Sequence, residues 1–236
     1  MPLELGSRRV GHITVVTGSG RLVAGEESTA LGRSVSELLP HAPYVVLNLA
    51  DVDFIDSSGV GVLVRLFVRV NAAGGLLTLC TVSPKIREVL RVTRLDSALP
   101  SYESEADAVA AFYERAKTAS FSFPTRTDVL CVEQSADALV YVREVLKQAG
   151  LAVVTADNLV DGLTLLLATR PRIVVVGEKL RRSNDTRTAE RFNRLADDLG
   201  VVELPASFST QDAGEAGREL LSRVHAVAGS PHITGD

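Results

Sequence analysis

The sequence predicts an α/β protein built as two layered domains. Short apolar runs, "YVVLNLA", "LLTLCTV", "DVLCVE", "LAVVTA" and "RIVVVG", alternate with amphipathic stretches, the pattern of strands and helices packed in layers. The alternation breaks once, at Lys117–Thr127 ("KTASFSFPTRT"), where Ser, Thr and a Pro replace periodic residues, and then restarts. A length of 236 residues is long for one compact domain and comfortable for two, at ~100–200 residues each. The expected division is a first domain over 1–116, a linker over 117–127, a second domain over 128–230 and a tail over 231–236.

In the first domain "RRVGHITVV" and "RLVAG" read as strands flanking "TGSG", whose glycines suit a hairpin turn. "EESTALGRSVSELL" is a helix with acids in its first turn, favourable at the positive end of the dipole. "YVVLNLA" is a strand buried on both faces. An acidic loop, Asp51–Asp56, leads into a helix that Gly74 and Gly75 stop. "LLTLCTV" is a second buried strand, "SPKIREVLRVTRL" a helix with Pro84 at its first position, and "ESEADAVAAFYERAK" the closing helix.

Beyond the linker, "DVLCVE", "LAVVTA", "RIVVVG" and "VVELPA" are strands. They alternate with helices over "ADALVYVREVLKQAG", "NLVDGLTLLLATR", "TRTAERFNRLADDLG" and "DAGEAGRELLSRVHAVAG". Short strands with crossover helices make a doubly wound parallel sheet. "EKLRRSNDT", Glu178–Thr186, reads as a polar loop.

Hydrophobic residues make up 46% and charged residues 23%, with a formal net charge of −4. Met1–Ala116 carries 11 basic and 13 acidic side chains, and Lys117–Asp236 carries 14 and 16. Neither half is a basic module that would hold nucleic acid by neutralising phosphates, and no segment offers a basic recognition helix. Cys80 and Cys131 lie in apolar runs in different halves and read as buried free thiols in a reducing compartment. The N-terminus lacks the apolar core of a signal peptide. The most apolar run, Val60–Val70, is interrupted by Arg65 and Arg69 and falls short of the ~20 residues of a membrane span. The expectation is a cytoplasmic protein without membrane contact.

Catalytic patterns fail on specific residues. Gly20 and Gly25 match the glycine spacing of a phosphate-binding P-loop, but Glu26 and Glu27 stand where Lys-Ser/Thr is needed and would repel the ligand. "DSSGVG" has Asp56 two before Ser58, where the hydrolase elbow needs glycine. The histidines, His12, His41, His225 and His232, are scattered and signal neither a nucleophile–base pair nor a metal set. No enzymatic activity, cofactor or metal is expected.

The segment "DVDFIDSSGVGVLVRLFVRV" is more informative. At 100° per residue Ser58, Gly61, Arg65 and Arg69 share a narrow polar arc, and Val60, Val62, Leu63, Val64, Leu66, Phe67, Val68 and Val70 occupy roughly 240°. A surface helix needs a core-facing stripe only a little over ~100° wide. Part of this helix must therefore meet a second partner, either another element of the chain or another protein. Gly59 and Gly61 each weaken a helix by up to ~1 kcal/mol and make sense where another backbone approaches its first turn. Asp56 is the expected cap.

The stretch "VVLNLADVDFIDSSGVGVLVRLFVRVNAAGGLLTLCTVSPKIREVLRVTRLD" strongly resembles the STAS domain of bacterial anti-sigma factor antagonists, over about residues 8–115. The specific features are the Asp-Ser-Ser-Gly-Val-Gly turn after an "LNL" strand, then Gly-Gly and a strand ending in "SP". The resemblance implies a STAS-like mixed sheet with helices. It also implies an antagonist that binds an anti-sigma factor, which is also a serine kinase, and so frees sigma. Phosphorylation of the serine directly after the Asp, here Ser57, ends the binding, and a phosphatase acting on Ser57 would restore it. Asp56, Ser58, Gly59, Val60, Gly61, Val64 and Phe67 form the expected partner-binding surface. One departure is "GRLVAGEES", which replaces the family's Gly-(Glu/Arg)-Leu-Asp-x-x-(Thr/Ser) element.

From Asp128 to about Ala228 the chain is similar to a response-regulator receiver, a flavodoxin-like doubly wound sheet, in degenerate form. Receivers hold Mg²⁺ with an acid pair after the first strand, where this chain has Glu133-Gln134. The phosphoacceptor Asp that ends the third strand is Gly177 here, and the lysine before a Pro near the last strand is absent from "LPASFS". One strand–helix unit is missing as well. Without the carboxylate no acyl phosphate can form, so this is a pseudo-receiver, expected to be a docking or dimerising module. A homodimer stays open. So does the rival to the antagonist reading, a non-enzymatic scaffold of a larger STAS-containing assembly in which Ser57 only caps a helix.

Overall fold

A computed structural model describes residues 1–40, 44–118, 127–183, 186–206, 208 and 213–228. Most of the expected linker and the whole tail at 231–236 lie outside them. The chain divides into two compact units, Met1–Phe112 and Tyr113–Asp236.

The first unit is a five-stranded mixed sheet in the order β1-β2-β3-β4-β5. Its strands are β1 (Glu4–Val10), β2 (Ile13–Leu22), β3 (Tyr44–Ile55), β4 (Leu76–Cys80) and β5 (Ser101–Tyr102). β1 pairs antiparallel with β2, and the remaining neighbours are parallel. The helices are α1 (Glu26–Leu38), α2 (Ser57–Ala72), α3 (Pro84–Val92) and α4 (Glu105–Thr118), and the division between units falls inside α4. Leu31 and Val35 of α1, Leu63, Leu66 and Val70 of α2 and Ile86 and Leu90 of α3 share one core with Val45, Leu47, Leu77 and Leu79 of the sheet. On the opposite face, Phe112 of α4 meets Tyr44 edge-on at 6.3 Å between centroids.

Three expectations change here. The hairpin turn is not "TGSG": β1 and β2 join at Gly11-His12, with Val10 paired to Ile13 and Gly11 at φ 61°, a conformation glycine adopts freely at the head of a two-residue loop. "TGSG" lies inside β2, where its register with β3 slips between Thr17 and Ser19 and again between Gly20 and Arg21. Gly20 has φ 98°, and a Cβ there would lie 2.2 Å from the Pro2 carbonyl oxygen, so these glycines serve an irregular strand. Asp51–Ile55 is not a loop either. β3 runs on through it because Asp51, Val52, Phe54 and Ile55 pair with Ser19, Gly20, Arg21 and Leu22; the acids face solvent while Val52 and Ile55 are buried. Finally, the two-residue β5 is a strand that was not expected, paired to Leu79 and Cys80.

The second unit is a parallel sheet in the order β7-β6-β8-β9. The strands are β6 (Val129–Val132), β7 (Val153–Ala156), β8 (Ile173–Gly177) and β9 (Gly200–Leu204). The helices are α5 (Ala136–Gln148), α6 (Leu159–Thr169), α7 (Glu178–Arg181), α8 (Thr186–Asp197) and α9 (Ala213–Ala228). Val142 and Leu146 of α5 and Leu220 and Val224 of α9 pack on one face with Val129, Cys131 and Val175. On the other face Gly162 of α6 brings that helix against Val132 and against Phe192 of α8. The expected polar loop begins as the short helix α7. Its Arg181 pairs with Asp197 at 2.6 Å and Glu203 at 2.8 Å, which anchors a segment too polar to show a helical stripe. Ser135 and Asn158 cap α5 and α6 by accepting from Ala138 N and Asp161 N.

Each unit holds one free cysteine, Cys80 in β4 and Cys131 in β6, both fully buried. Among the described residues no helix is long and apolar enough to cross a membrane, and no group of His, Cys, Asp or Glu is placed to hold a metal ion.

Candidate functional site

The candidate site is the junction of β3 and α2. Asp56 is the N-cap of α2: its Oδ1 accepts from Ser58 N and Gly59 N, each at 2.8 Å, and its Oδ2 accepts from Ala24 N at 3.0 Å. One carboxylate thus satisfies two orphan donors of the helix and ties down the loop between β2 and α1. The Gly59 and Ala24 N–H groups, with smaller help from Ser58 N and the charge of Arg21, outweigh partial burial and hold this carboxyl below the ordinary 3.8.

Ser57 is the first residue of α2, exposed, and its hydroxyl makes no hydrogen bond among the described residues. Ser58 is half-buried. Gly59 is buried, and a Cβ on it would lie 2.2 Å from the Leu22 carbonyl oxygen. The backbone expected to approach the first turn therefore belongs to this chain, whose Leu22 carbonyl also accepts from Asp56 N at 3.3 Å. Gly59 faces inward rather than toward a partner. Gly61 has no backbone near it: its closest neighbour is the Arg65 Nη1, 3.2 Å from a built Cβ.

The faces of α2 also sort differently from the expectation. The buried residues, Gly59, Val62, Leu63, Leu66 and Val70, lie opposite Ser57 on the helical wheel. Arg69 lies at the flank and donates from Nη1 to Ser36 Oγ of α1 at 2.6 Å. The face opposite the core carries Ser57, Gly61, Val64 and Val68, of which Ser57 and Val68 are exposed (Val68 61%) and Gly61 and Val64 half-buried. The polar arc of Ser58, Gly61, Arg65 and Arg69 is thus one flank of the outer surface. Val60 and Phe67 are half-buried and packed against the core. The apolar excess divides accordingly: most of it is intramolecular, and Val64 and Val68 remain outward.

Beside the junction, Arg21 stacks on Phe54 with its Cζ 4.8 Å from the ring centroid, and Phe54 is 45% exposed. This pair had no sequence signal, since it depends on the β2–β3 register that sets Arg21 opposite Phe54.

In the second unit the carboxyl ends of β6 and β8 meet at the point where the strand order reverses. Glu133 and Gly177 come together there, and a Cβ on Gly177 would lie 1.9 Å from Glu133 Oε2. Glu133 Oε1 also accepts from Ser135 N at 3.0 Å. Glu178 turns away to accept from Ala206 N at 2.9 Å and to pair with Arg182 at 2.6 Å. A small cavity of about 110 Å³ lies here, lined in part by Glu133, Glu178, Lys179 and Phe208. One carboxylate thus fills the space over Gly177 and the other is engaged by backbone.

Comparison with known proteins points to the first unit. Residues 7–108 match the family model of the STAS domain. An anti-sigma F factor antagonist from Paenibacillus polymyxa is 33% identical over 66 residues, 28% of this chain and 56% of that protein. The chain spans 56–59% of the length of the curated relatives it matches. Among solved structures, an anti-sigma-factor antagonist (STAS) domain protein from Planctomyces limnophilus is 29% identical, covers 45% of this chain and 95% of its own, and superposes with a TM-score of 0.41. The anti-sigma factor antagonist SpoIIAA in its unphosphorylated form is 18% identical, covers 49% of this chain and all of its own, and has a TM-score of 0.38. The segment 7–108, and with it the mixed sheet of the first unit, is STAS-like.

Proposed function

We propose that this chain is an anti-sigma factor antagonist: it binds an anti-sigma factor that is also a serine kinase, and phosphorylation of Ser57 switches the binding off. The observation that carries the reading is the exposed Ser57 hydroxyl heading an outward stripe with Val64 and Val68, over a cap that Asp56 supplies without it. Because Asp56 does the capping, Ser57 is free to be modified without loss of the helix start. A phosphate adds about −1.5 to −2 charges. Asp51, Asp53 and Asp56 already crowd the same strand end, so a partner docking on the Val64–Val68 stripe would meet both bulk and repulsion. The matched relatives named as anti-sigma factor antagonists support the same role.

The second unit, in this reading, is a receiver-like module that takes no phosphate and serves docking or self-association, since Gly177 offers no nucleophile and Glu133 occupies its space. The test of the switch is binding of the full chain to a histidine-kinase-like anti-sigma factor. Ser57→Asp is expected to weaken binding at least ~10-fold, about 1.4 kcal/mol. Ser57→Ala should bind well yet resist the kinase, and Ser58→Ala should still be phosphorylated. Phosphate located on Ser58 by mass spectrometry, or wild-type affinity in Ser57→Asp, rejects the assignment. Self-assembly on sizing with no kinase captured would favour the scaffold.

A further inference from the structure

We propose that Arg21 pairs with the phosphate of phosphorylated Ser57, holding the modified side chain against the end of the sheet. The inference rests on the reading of Ser57 as the modified residue. Arg21 is the penultimate residue of β2 and stands opposite Phe54, three residues before Ser57. Its guanidinium lies 4.8 Å from the Phe54 ring centroid, a cation–π contact that supplies no hydrogen-bond acceptor oxygen to its N–H groups. Among the described residues Arg21 makes no hydrogen bond and no ion pair. Asp56 forms no ion pair with it and instead accepts from the N–H groups of Ser58, Gly59 and Ala24. Yet Arg21 is close enough for its charge to be felt at Asp56, the residue bonded to Ser57.

A cation with five fixed donors, held on an aromatic ring at the strand end that leads into Ser57, whose own hydroxyl makes no hydrogen bond among the described residues, is suited to a phosphate dianion in bidentate geometry. The neighbouring charges are mostly of the opposite sign: Asp51, Asp53 and Asp56 on β3 and its end, and Glu26 and Glu27 opening α1, with Arg65 the nearest cation along α2. Pairing with Arg21 would let the phosphate persist among these acids and would fix where its charge is presented.

The experiment installs phosphoserine at position 57 of the full chain by genetic encoding and follows its ³¹P shift against pH at low salt. The second ionisation of a free phosphoserine lies near 6. With Arg21 present it is expected to be lower than in Arg21→Gln by roughly half a unit, the exposed end of an ion-pair shift. Arg21→Glu should raise it further, and Arg65→Gln should leave it where it was. An ionisation unmoved in both Arg21 variants, or moved equally by Arg65→Gln, overturns the pairing. No kinase or anti-sigma factor enters this measurement, so its failure is separate from failure of the binding test on Ser57→Asp.

Discussion

A Cβ at Gly59 would be driven into the Leu22 carbonyl, a backbone atom fixed by its hydrogen bond from Asp56 N, whereas one at Gly61 would meet only the movable end of Arg65. Two glycines on one helix therefore predict opposite signs. Gly59→Ala should destabilise by about 2–3 kcal/mol through overpacking, and Gly61→Ala should stabilise by about 0.5–1 kcal/mol because alanine favours the helix. Thermal melts of the two variants check this; equal effects would mean that the close approach of Leu22 is relieved elsewhere. The pairing of the glycines in sequence hinted at a close approach, but which glycine and whose backbone depends on a contact 37 residues away, beyond any local pattern.

For α2 as a whole, the cap carries a pH signature. Asp56 has its carboxyl held below 3.8 in the folded chain, so it contributes stability that is complete above the unfolded value and is lost as pH falls through the lower, folded one. Asp56→Asn keeps a capping oxygen but cannot titrate. The variant should melt like wild type in its dependence on pH above about 5 and lose less stability than wild type on acidification below about 4. Parallel acid limbs in the two proteins would count against the cap's role. The same helix separates packing from display: Val68→Glu, at a 61% exposed position, should change stability by no more than about 0.5 kcal/mol and weaken partner binding. Phe67→Glu, on a side chain packed against the core, should cost about 2 kcal/mol or more, read in the same melts. Legibility at this scale followed periodicity. The buried strands and the helices α2 to α6 are legible because apolar runs and caps are local, while the last five residues of β3 are not, because acids on its exposed face mask the pairing with β2. The hairpin was misplaced for a related reason, since glycines that permit strand irregularity look like glycines that turn a chain.

Across the whole molecule, two cores on two sheets are legible from alternation that stops and restarts, and the parallel pairing of the second sheet from short strands joined by crossover helices, whereas its order β7-β6-β8-β9 is not, because it is set by which strands pair across the sheet. What the second sheet lacks is chemical. Incubation of the full chain with acetyl phosphate and Mg²⁺ is expected to leave residues 128–230 unlabelled, because Gly177 bears no nucleophile and Glu133 lies over it. A stoichiometric, hydroxylamine-labile label there would contradict this.

The placement of the two thiols has a kinetic consequence. Cys80 and Cys131 sit in interior strands of separate sheets, with burial pushing the first thiol up to about 11 and the second higher still. Neither can react as a thiolate until its own sheet opens. Alkylation at about pH 8 therefore turns each cysteine into a clock for the core around it, with no engineered probe. Peptide mapping of the modified chain over time should give a separate opening rate for each unit. Identical rates under all denaturant concentrations would show that the two cores open as one.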